Sequence, residues 1–324
     1  MSLDLTADVV TLCEQLVDIE SVSRNEREIA DQVEAALAPL DHLDVVRRGH
    51  TVVARTALHG LGACDMKGGD AVILALAASV TDPVRDVTYV LYEGEEIESE
   101  FNGLGHLAAD SPELLRSDFA ILMEPSDGVV EAGCQGTMRI EVTTHGERAH
   151  SARAWKGVNA IHAAAPVLAR LTAYEPRLPV IDGLTYHEGL NAVGISGGVA
   201  GNVLPDRCTV EVNYRFAPDR SEAEAEDYLR TFFEGYDVRV TDSAPGALPG
   251  LDRPAAQEFV EAVGGVVNPK FGWTDVARFS ALGVPAVNFG PGDPMLAHKQ
   301  EEFVPLEQLR HCERALAGWL GGQR

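Results

Sequence analysis

The stretch VTYVLYEGEE, residues 87–96, decides the character of this chain. Its first five residues are β-branched, aromatic or leucine, a composition that is typical of a buried strand. Two adjacent carboxylates, Glu95 and Glu96, follow the strand. Because adjacent residues near a strand end point to opposite sides, one carboxylate can bind a metal ion while its neighbour contacts a water molecule. The stretch therefore predicts a buried strand that brings two acids to one edge of a sheet.

Three other segments carry potential metal ligands. Asp65 lies in the glycine-rich segment GACDMKGG, residues 62–69. Glu124 follows the apolar run FAILM, residues 119–123, and His298 follows a second apolar segment. Acids and a histidine at strand ends are the donors that a metal site with a general base requires. The four segments together predict such a site.

Each of these residues, taken alone, also has a simpler structural explanation. Asp65 could cap the helix that begins near Met66, because aspartate is a favoured N-cap residue. Glu95 and Glu96 could lie in a solvated acidic loop, and His298 could lie on the surface. The glycines around Asp65 also suggest a phosphate loop, but Lys67 precedes the double glycine and the G-x-x-x-x-G-K-[ST] spacing is missing. A nucleotide-binding α/β protein is therefore the weaker alternative.

The composition is that of a globular protein of 324 residues, with 45% hydrophobic and 23% charged residues. The net charge of −24 disfavours nucleic acid and anionic membranes, so we predict neither as a partner. The five cysteines include no C-x-x-C pair, which is typical of a reducing compartment. No signal-peptide pattern is evident, and the apolar stretch 71–80 is too short to span a bilayer. We therefore expect a cytoplasmic protein.

Helix and strand patterns divide the chain into two domains, one inserted into the other. Patterns alternate over residues 1–137 and resume over residues 249–324, which predicts an α/β catalytic, metal-binding domain with a mostly parallel sheet. Residues 138–248 show the order strand-helix-strand-strand-helix-strand, which resembles a ferredoxin-like α+β unit. The segment APGALPG, residues 244–250, has the composition of a linker at the end of this insertion.

The motifs as a set resemble the zinc-dependent amidohydrolase and exopeptidase family, which includes succinyl-diaminopimelate desuccinylase, acetylornithine deacetylase and aminoacylase. They span nearly the whole chain, in the family's order: DMKGG (65–69), EE (95–96), EP (124–125), AHSA (149–152), GNVLP (201–205) and His298. The stretches EAGCQGT (131–137), NYRFAPDR (213–220) and GWTD (272–275) are most similar to the actinobacterial succinyl-diaminopimelate desuccinylases. The resemblance implies a zinc-exopeptidase-like catalytic domain, an inserted dimerisation (lid) domain, and a homodimer.

The resemblance also implies a dinuclear metal site. Asp65 bridges two zinc ions, for which cobalt is a possible replacement. Glu96 and His298 complete the coordination of one ion, and Glu124 binds the other. Glu95 is the general base that deprotonates a zinc-bound water.

The remaining site residues are implied to contact the substrate. His150 from the partner subunit stabilises the oxyanion, and Arg215, Asn202 and Thr274 bind substrate carboxylates. The implied reaction is hydrolysis of N-succinyl-LL-2,6-diaminopimelate to succinate and LL-2,6-diaminopimelate, in lysine and diaminopimelate biosynthesis. Another N-acyl amino acid deacylase, such as acetylornithine deacetylase, or a peptidase, is the nearest alternative.

One motif of the family is missing. Members carry a further strand that ends in His-x-Asp-Thr-Val-Pro ahead of the Asp65 loop, and its histidine is a ligand of the zinc ion held by Glu124. Here ART, residues 54–56, is followed almost directly by LHGLG, residues 58–62. Either the chain is genuinely shorter at this point or a segment is missing from the sequence. Without that ligand the chain would keep the donors for only one complete zinc site, so an inactive dimeric homologue is the alternative of a different class.

Overall fold

The computed structural model describes residues 3–22, 25–40, 44–55, 65–95, 99–297 and 302–322. The chain divides into two compact units. Unit 1 comprises residues 1–132, 250–268 and 278–324, and unit 2 comprises residues 133–249 and 269–277. The domain boundaries expected from the sequence, at 137/138 and 248/249, and their functional labels remain predictions.

The elements of the described residues alternate between helices and strands in unit 1 and follow a different order in unit 2. The helices are α1 (Val9–Val17), α2 (Arg27–Leu37), α3 (Lys67–Ser79), α4 (Gly103–Asp110), α5 (Ala160–Ala163), α6 (Ala165–Thr172), α7 (Glu222–Phe232), α8 (Pro254–Ala262), α9 (Val276–Ala281) and α10 (Leu306–Leu320). The strands are β1 (Asp44–Arg48), β2 (Thr51–Arg55), β3 (Thr88–Leu91), β4 (Ala120–Leu122), β5 (Val130–Ala132), β6 (Gly136–His145), β7 (Val180–Ile181), β8 (Leu184–Thr185), β9 (Gly189–Gly197), β10 (Arg207–Phe216), β11 (Asp237–Ala244), β12 (Val267–Pro269) and β13 (Ala286–Asn288).

Unit 1 is an α/β unit with two groups of paired strands. One sheet has the order β1-β2-β3 with antiparallel pairs, and the other has the order β12-β5-β13-β4, in which β4 and β13 run parallel. Helix α3 is buried along most of its length and packs against α1 and α10. Its apolar run, AVILALAA (71–78), explains that burial, since a helix that is apolar on all sides belongs in a core.

Unit 2 has the ferredoxin-like order predicted from the sequence. Its sheet is β11-β6-β10-β9, and all three pairs are antiparallel. Alternation along β6 buries Met138, Ile140 and Val142 in the core shared with α7 and the helix pair α5 and α6. The opposite face carries polar side chains, among them Arg139 and Arg215, and we call it the polar face.

The first helix of the strand-helix-strand order expected for unit 2 is interrupted in the structure. Helix α5 ends at Ala163 and α6 begins at Ala165, with Pro166 in the first turn of α6. Proline has no backbone N–H, so Pro166 cannot donate the hydrogen bond to His162 that a continuous helix requires. The break therefore follows from one residue that the apolar periodicity does not reveal.

A buried carboxylate stabilises the end of the unit 2 sheet. The side chain of Glu188 is 1% exposed and accepts hydrogen bonds from Arg177, from the hydroxyl of Tyr214 and from the backbone N–H of Ala217. Arg220 donates to the same tyrosine oxygen and lies 3.7 Å from Glu188 Oε2. Arg177 also binds Asp219, so Glu188 is one of its two carboxylate partners, whereas the Tyr214 hydroxyl and the Ala217 N–H both donate to Glu188.

We expect Glu188→Ala to lower the free energy of unfolding by about 3 kcal/mol, because it removes the acceptor of the buried Tyr214 hydroxyl and Ala217 N–H and one of the two carboxylates that bind Arg177. Denaturant unfolding of the full chain, followed by circular dichroism, measures the change. Glu175→Ala, at an exposed position near the same segment, is the control and should stay within about 0.5 kcal/mol of wild type. Equal stability of the two variants would contradict the role of Glu188.

Candidate functional site

The end of β4 and the beginning of α3 lie close together in unit 1. A Cβ atom placed on Gly69 would lie 2.3 Å from the carbonyl oxygen of Met123, and one on Gly290 would lie 2.4 Å from the same oxygen. Only glycine permits these approaches, so Gly69, the second residue of the double glycine after Asp65, has a packing reason. This close packing places the beginning of α3, which follows Asp65, next to the end of β4, which Glu124 follows.

The four predicted metal ligands are only partly within the described residues. Asp65 directly precedes α3, is joined to Met66 by a cis peptide bond, and its backbone N–H donates to Glu302 Oε1 at 3.2 Å. Glu124 follows β4 and is 7% exposed. Glu96 and His298 lie outside the described residues, as do residues 56–64, where the family motif is missing. Glu95 lies in a turn after β3 and is half-buried.

Unit 1 concentrates negative charge near Glu124. Asp70 in α3 is 1% exposed, and its Oδ2 has no hydrogen-bond partner within the described part of the chain. Burial raises the pKa of Asp70 well above its usual range, Lys67 opposes this rise, and Glu124 adds to it. Burial lowers the pKa of the Lys67 ammonium, and Asp70 opposes that change.

Two buried carboxylates near one partly buried ammonium form an environment that fits a divalent cation, whose charge compensates buried acids. Asp65 and Glu124 supply oxygen donors of the type that zinc accepts. Over the ranges that the structure describes, no three potential ligands gather into a metal-binding group. The predicted coordination set therefore remains a prediction, with two of its four members outside those ranges.

Unit 2 brings two of the predicted substrate-binding residues to Cys134. The Cys134 thiol donates to the Thr274 carbonyl oxygen at 3.7 Å, and Cys134 also lies within electrostatic range of Arg215. Thr274 is 3% exposed, and its hydroxyl has no hydrogen-bond partner among the described residues. Arg215 is half-buried, and burial together with nearby Arg139 lowers the pKa of its guanidinium. A cation and an unsatisfied hydroxyl at one place can bind a carboxylate.

The other two predicted residues, His150 and Asn202, lie next to each other in two paired loops. Ser151 N–H donates to the Asn202 carbonyl at 2.8 Å, and His150 forms an antiparallel bridge with Val203. His150 Nδ1 accepts a hydrogen bond from the backbone N–H of Ala152 at 3.1 Å. Because Nδ1 is an acceptor, the neutral ring carries its proton on Nε2, which is then a hydrogen-bond donor.

These two groups of residues lie at opposite ends of the strand pair β6–β10. Arg215 is opposite Thr137 at the start of β6, whereas the loops that carry His150 and Asn202 leave the sheet at His145 and enter it at Arg207. Eight residues separate Arg207 from Arg215, which is about 27 Å at the usual antiparallel rise of about 3.4 Å per residue. His150 and Arg215 of one chain are therefore not neighbours.

Three charged residues at these positions were not found by the sequence reasoning. Asp70 carries a signal, because an acid inside the otherwise apolar helix α3 must be buried. Lys67 was considered only as part of a phosphate loop. Arg139 gives no signal by itself, since alternation predicts only that it faces away from the core.

An α/β unit with acids at its strand ends, together with a ferredoxin-like unit that carries a half-buried arginine and an unsatisfied buried hydroxyl, is typical of a metal-dependent amide or peptide hydrolase. The model of peptidase family M20/M25/M40 matches residues 41–321, and the chain belongs to this family. The predicted family and the predicted α/β fold with an inserted α+β domain are confirmed. Membership implies a dinuclear divalent metal site.

Two relatives cover nearly the whole chain. A Mycobacterium tuberculosis protein, named as a candidate succinyl-diaminopimelate desuccinylase, is 50% identical over 99% of this chain and 100% of its own length. Succinyl-diaminopimelate desuccinylase of Corynebacterium glutamicum is 42% identical over 98% of this chain and 97% of its own. The crystal structure of a tripeptidase from Staphylococcus aureus is similar in fold, with a TM-score of 0.76, 20% identity, and coverage of 100% and 99% of the two chains.

The length of the first alignment bears on the missing motif. It extends over 353 positions, whereas this chain has 324 residues, so at least 29 positions of the relative have no counterpart here. This number of positions is sufficient to contain a strand and its His-x-Asp motif. In a separate observation, no helix within the described ranges has the length and apolar character needed to cross a membrane.

Proposed function

We propose that this protein hydrolyses the amide of N-succinyl-LL-2,6-diaminopimelate to succinate and LL-2,6-diaminopimelate. The observation that carries the proposal is the half-buried Arg215 and the unsatisfied hydroxyl of Thr274, on two residues that both lie near Cys134, in a chain with two near-full-length relatives that bear this name. A small N-acyl amino acid is the ligand, and nucleic acid and membrane are not partners. We place the protein in the cytoplasm because its cysteine pattern fits a reducing compartment.

Asp65, Glu96, Glu124 and His298 would hold the metal, for which we propose two zinc ions. Bound zinc supplies a Lewis acid and raises the acidity of water. Glu95 accepts a proton from the water whose oxygen attacks the amide carbon, and it passes that proton to the amine nitrogen as the C–N bond breaks. His150 donates its Nε2 hydrogen to the oxyanion that forms. Arg215 and Thr274 hold a substrate carboxylate, so the scissile carbonyl stays in position.

A panel of substrates tests the assignment. The full chain, purified with zinc, is assayed for amine release from N-succinyl-LL-2,6-diaminopimelate, N-acetylornithine and a tripeptide. We expect kcat/KM to be highest for the succinylated substrate. A higher value for N-acetylornithine would show a deacetylase, and a higher value for the tripeptide would show a peptidase.

We further propose a homodimer that pairs through the edge strand β9. This strand ends the unit 2 sheet, and its Val193 and Ile195 are 62% and 53% exposed. An apolar edge strand is a template for pairing with another chain. A dimer would also explain why His150 and Asn202 lie far from Arg215 in one chain. In the proposed dimer, His150 and Asn202 of each chain contribute to the site of the partner subunit.

Val193→Asp should convert the dimer into a monomer, because it places a charge in the proposed contact. Light scattering of the full chain measures the molar mass. Val180→Asp is the matched control, since Val180 is equally exposed on the hairpin β7–β8, outside the proposed contact. A monomeric wild-type protein with full activity would contradict both the dimer and the role of His150.

The missing motif supports a second candidate function, an inactive dimeric homologue with a binding role. Its supporting observation is the gap of at least 29 positions relative to the mycobacterial protein. Metal analysis at zinc saturation separates the two candidates. Two zinc ions per chain support the hydrolase, whereas one ion or none, together with no amine release, supports the inactive homologue.

A further inference from the structure

Arg139 and Arg215 are neighbours on the polar face of unit 2. Arg139 in β6 lies opposite Asn213 in β10, two residues from Arg215 on the same face. Such diagonal neighbours in an antiparallel pair are about 7–8 Å apart, which is within the reach of two long side chains. Arg139 is exposed and Arg215 is half-buried, so the pair is open to a ligand at the Arg139 end.

The acids nearby do not neutralise this pair. Asp242 in β11 lies 3.8 Å from Arg139 and is within electrostatic range of Arg215, so one carboxylate faces two guanidinium groups. Glu141 is bound by Arg239 at 2.7 Å. The Glu211 carboxylate lies over Gly194 of β9 and forms no ion pair among the described residues. Among these acids, only Asp242 lies within ion-pair distance of Arg139, so the arginine pair shares one carboxylate.

Two further observations indicate that the arginine pair serves a ligand. Within the described part of the chain, the Arg215 guanidinium has no hydrogen-bond acceptor, although Arg is a poor residue to bury without one. The hydroxyl of Thr274, beside the same Cys134, is also unsatisfied. Donors for an anion thus outnumber the acceptors that the protein itself provides.

We propose that Arg139 and Arg215 form a subsite for two carboxylates of one substrate, in which Arg215 holds the first carboxylate and Arg139 selects for the second. The inference rests on the proposed function, because it names the feature by which the same site distinguishes a succinylated substrate from a monocarboxylate. Arg139 is a specificity-determining residue, and its loss leaves the first carboxylate bound.

Calorimetric binding of succinate and butyrate to the full chain tests the inference. Both probes have four carbon atoms, but butyrate has one carboxylate. We expect wild type to bind succinate more tightly than butyrate. Arg139→Ala should weaken succinate binding about tenfold and leave butyrate binding unchanged, because a charge-assisted hydrogen bond is lost only with the second carboxylate. Arg139→Lys should retain part of the preference.

Arg239→Ala is the matched control, because Arg239 lies on the same face but is already paired with Glu141. It should bind both probes as wild type does. A wild-type chain without preference for succinate, or equal succinate binding by Arg139→Ala and Arg239→Ala, would overturn the inference. An equal loss of butyrate binding in Arg139→Ala would also overturn it, since both arginines would then hold one carboxylate.

Hydrolysis measured on the same preparations separates this inference from the proposed function. If wild type releases no amine from N-succinyl-LL-2,6-diaminopimelate but keeps its Arg139-dependent preference for succinate, the proposed function fails and the subsite stands. If wild type hydrolyses the substrate and Arg139→Ala has an unchanged KM, the function stands and the subsite fails.

Discussion

Glu95→Gln should lower kcat for N-succinyl-LL-2,6-diaminopimelate by about 10²–10⁴-fold, the usual contribution of a general base. The amide of glutamine has nearly the size of the carboxylate but cannot accept the proton of the attacking water. KM should change little, because Glu95 binds neither the predicted metal ions nor the substrate carboxylates. Steady-state kinetics on the zinc-loaded full chain, with zinc content measured in parallel, gives both values.

The control for this variant is Glu93→Gln, two residues earlier in the same segment. Glu93 is also half-buried. Among the described residues, its backbone carbonyl oxygen accepts a hydrogen bond from Gly103 N–H at 2.8 Å, and its side chain forms no hydrogen bond. Its kcat should stay within about twofold of wild type, as for a substitution outside the machinery. The role of Glu95 would be refuted by similar kcat values for the two variants, or by a loss of zinc that accounts for the whole effect of Glu95→Gln.

Co-expression of Glu95→Gln with His150→Asn should restore activity that neither variant has alone. In a mixed dimer, one site combines Glu95 of one chain with His150 of the other, provided that His150 acts across the interface. Random assembly of a two-fold symmetric dimer gives about a quarter of the wild-type activity. Asparagine is the chosen replacement, because its side-chain oxygen can still accept from Ala152 N–H, as His150 Nδ1 does.

The same mixing experiment has a clear contrary result. If His150 acted within its own chain, every site in the mixed dimer would lack one of the two groups, and no activity would return. Mixing Glu95→Gln with Arg215→Ala provides a further control. If Glu95 and Arg215 of the same chain act together, this mixture regains no activity, because each chain of the mixed dimer lacks one of these two residues.

The part of the fold that could be predicted is the part with strong periodicity. Alternation along β6 and β10 gives both strands and their buried faces, and the double glycine marks the beginning of α3. The ferredoxin-like order follows from the succession of these patterns. Period-2 and period-3.6 signals are reliable when an element is long enough to repeat them several times.

The missed elements are short or depend on distant contacts. The strands β5, β7, β8 and β12 have two or three residues each, which is at most one and a half repeats of an alternating pattern. Glu188 gives no local sign that it receives donors from three segments. Whether Arg139 and Arg215 are diagonal neighbours depends on the register between β6 and β10. No pattern within either strand determines that register.

The candidate site was predictable in its chemistry but not in its arrangement. Carboxylates at strand ends indicated metal binding from the sequence alone, and the family resemblance implied carboxylate binding by Arg215, Asn202 and Thr274. The separation of His150 from Arg215 by the length of the strand pair requires three-dimensional information. Glu96 and His298, outside the described residues, keep their predicted roles as metal ligands.

Release of diaminopimelate by the purified full chain is the most direct test of the central claim, that acids from distant segments hold zinc so that Glu95 can activate water. The amine is quantified after incubation with N-succinyl-LL-2,6-diaminopimelate, with added zinc and after treatment with a chelator. We predict zinc-dependent release of equal amounts of LL-2,6-diaminopimelate and succinate. No release above the zinc-only blank would contradict the account, as would equal release with and without the chelator.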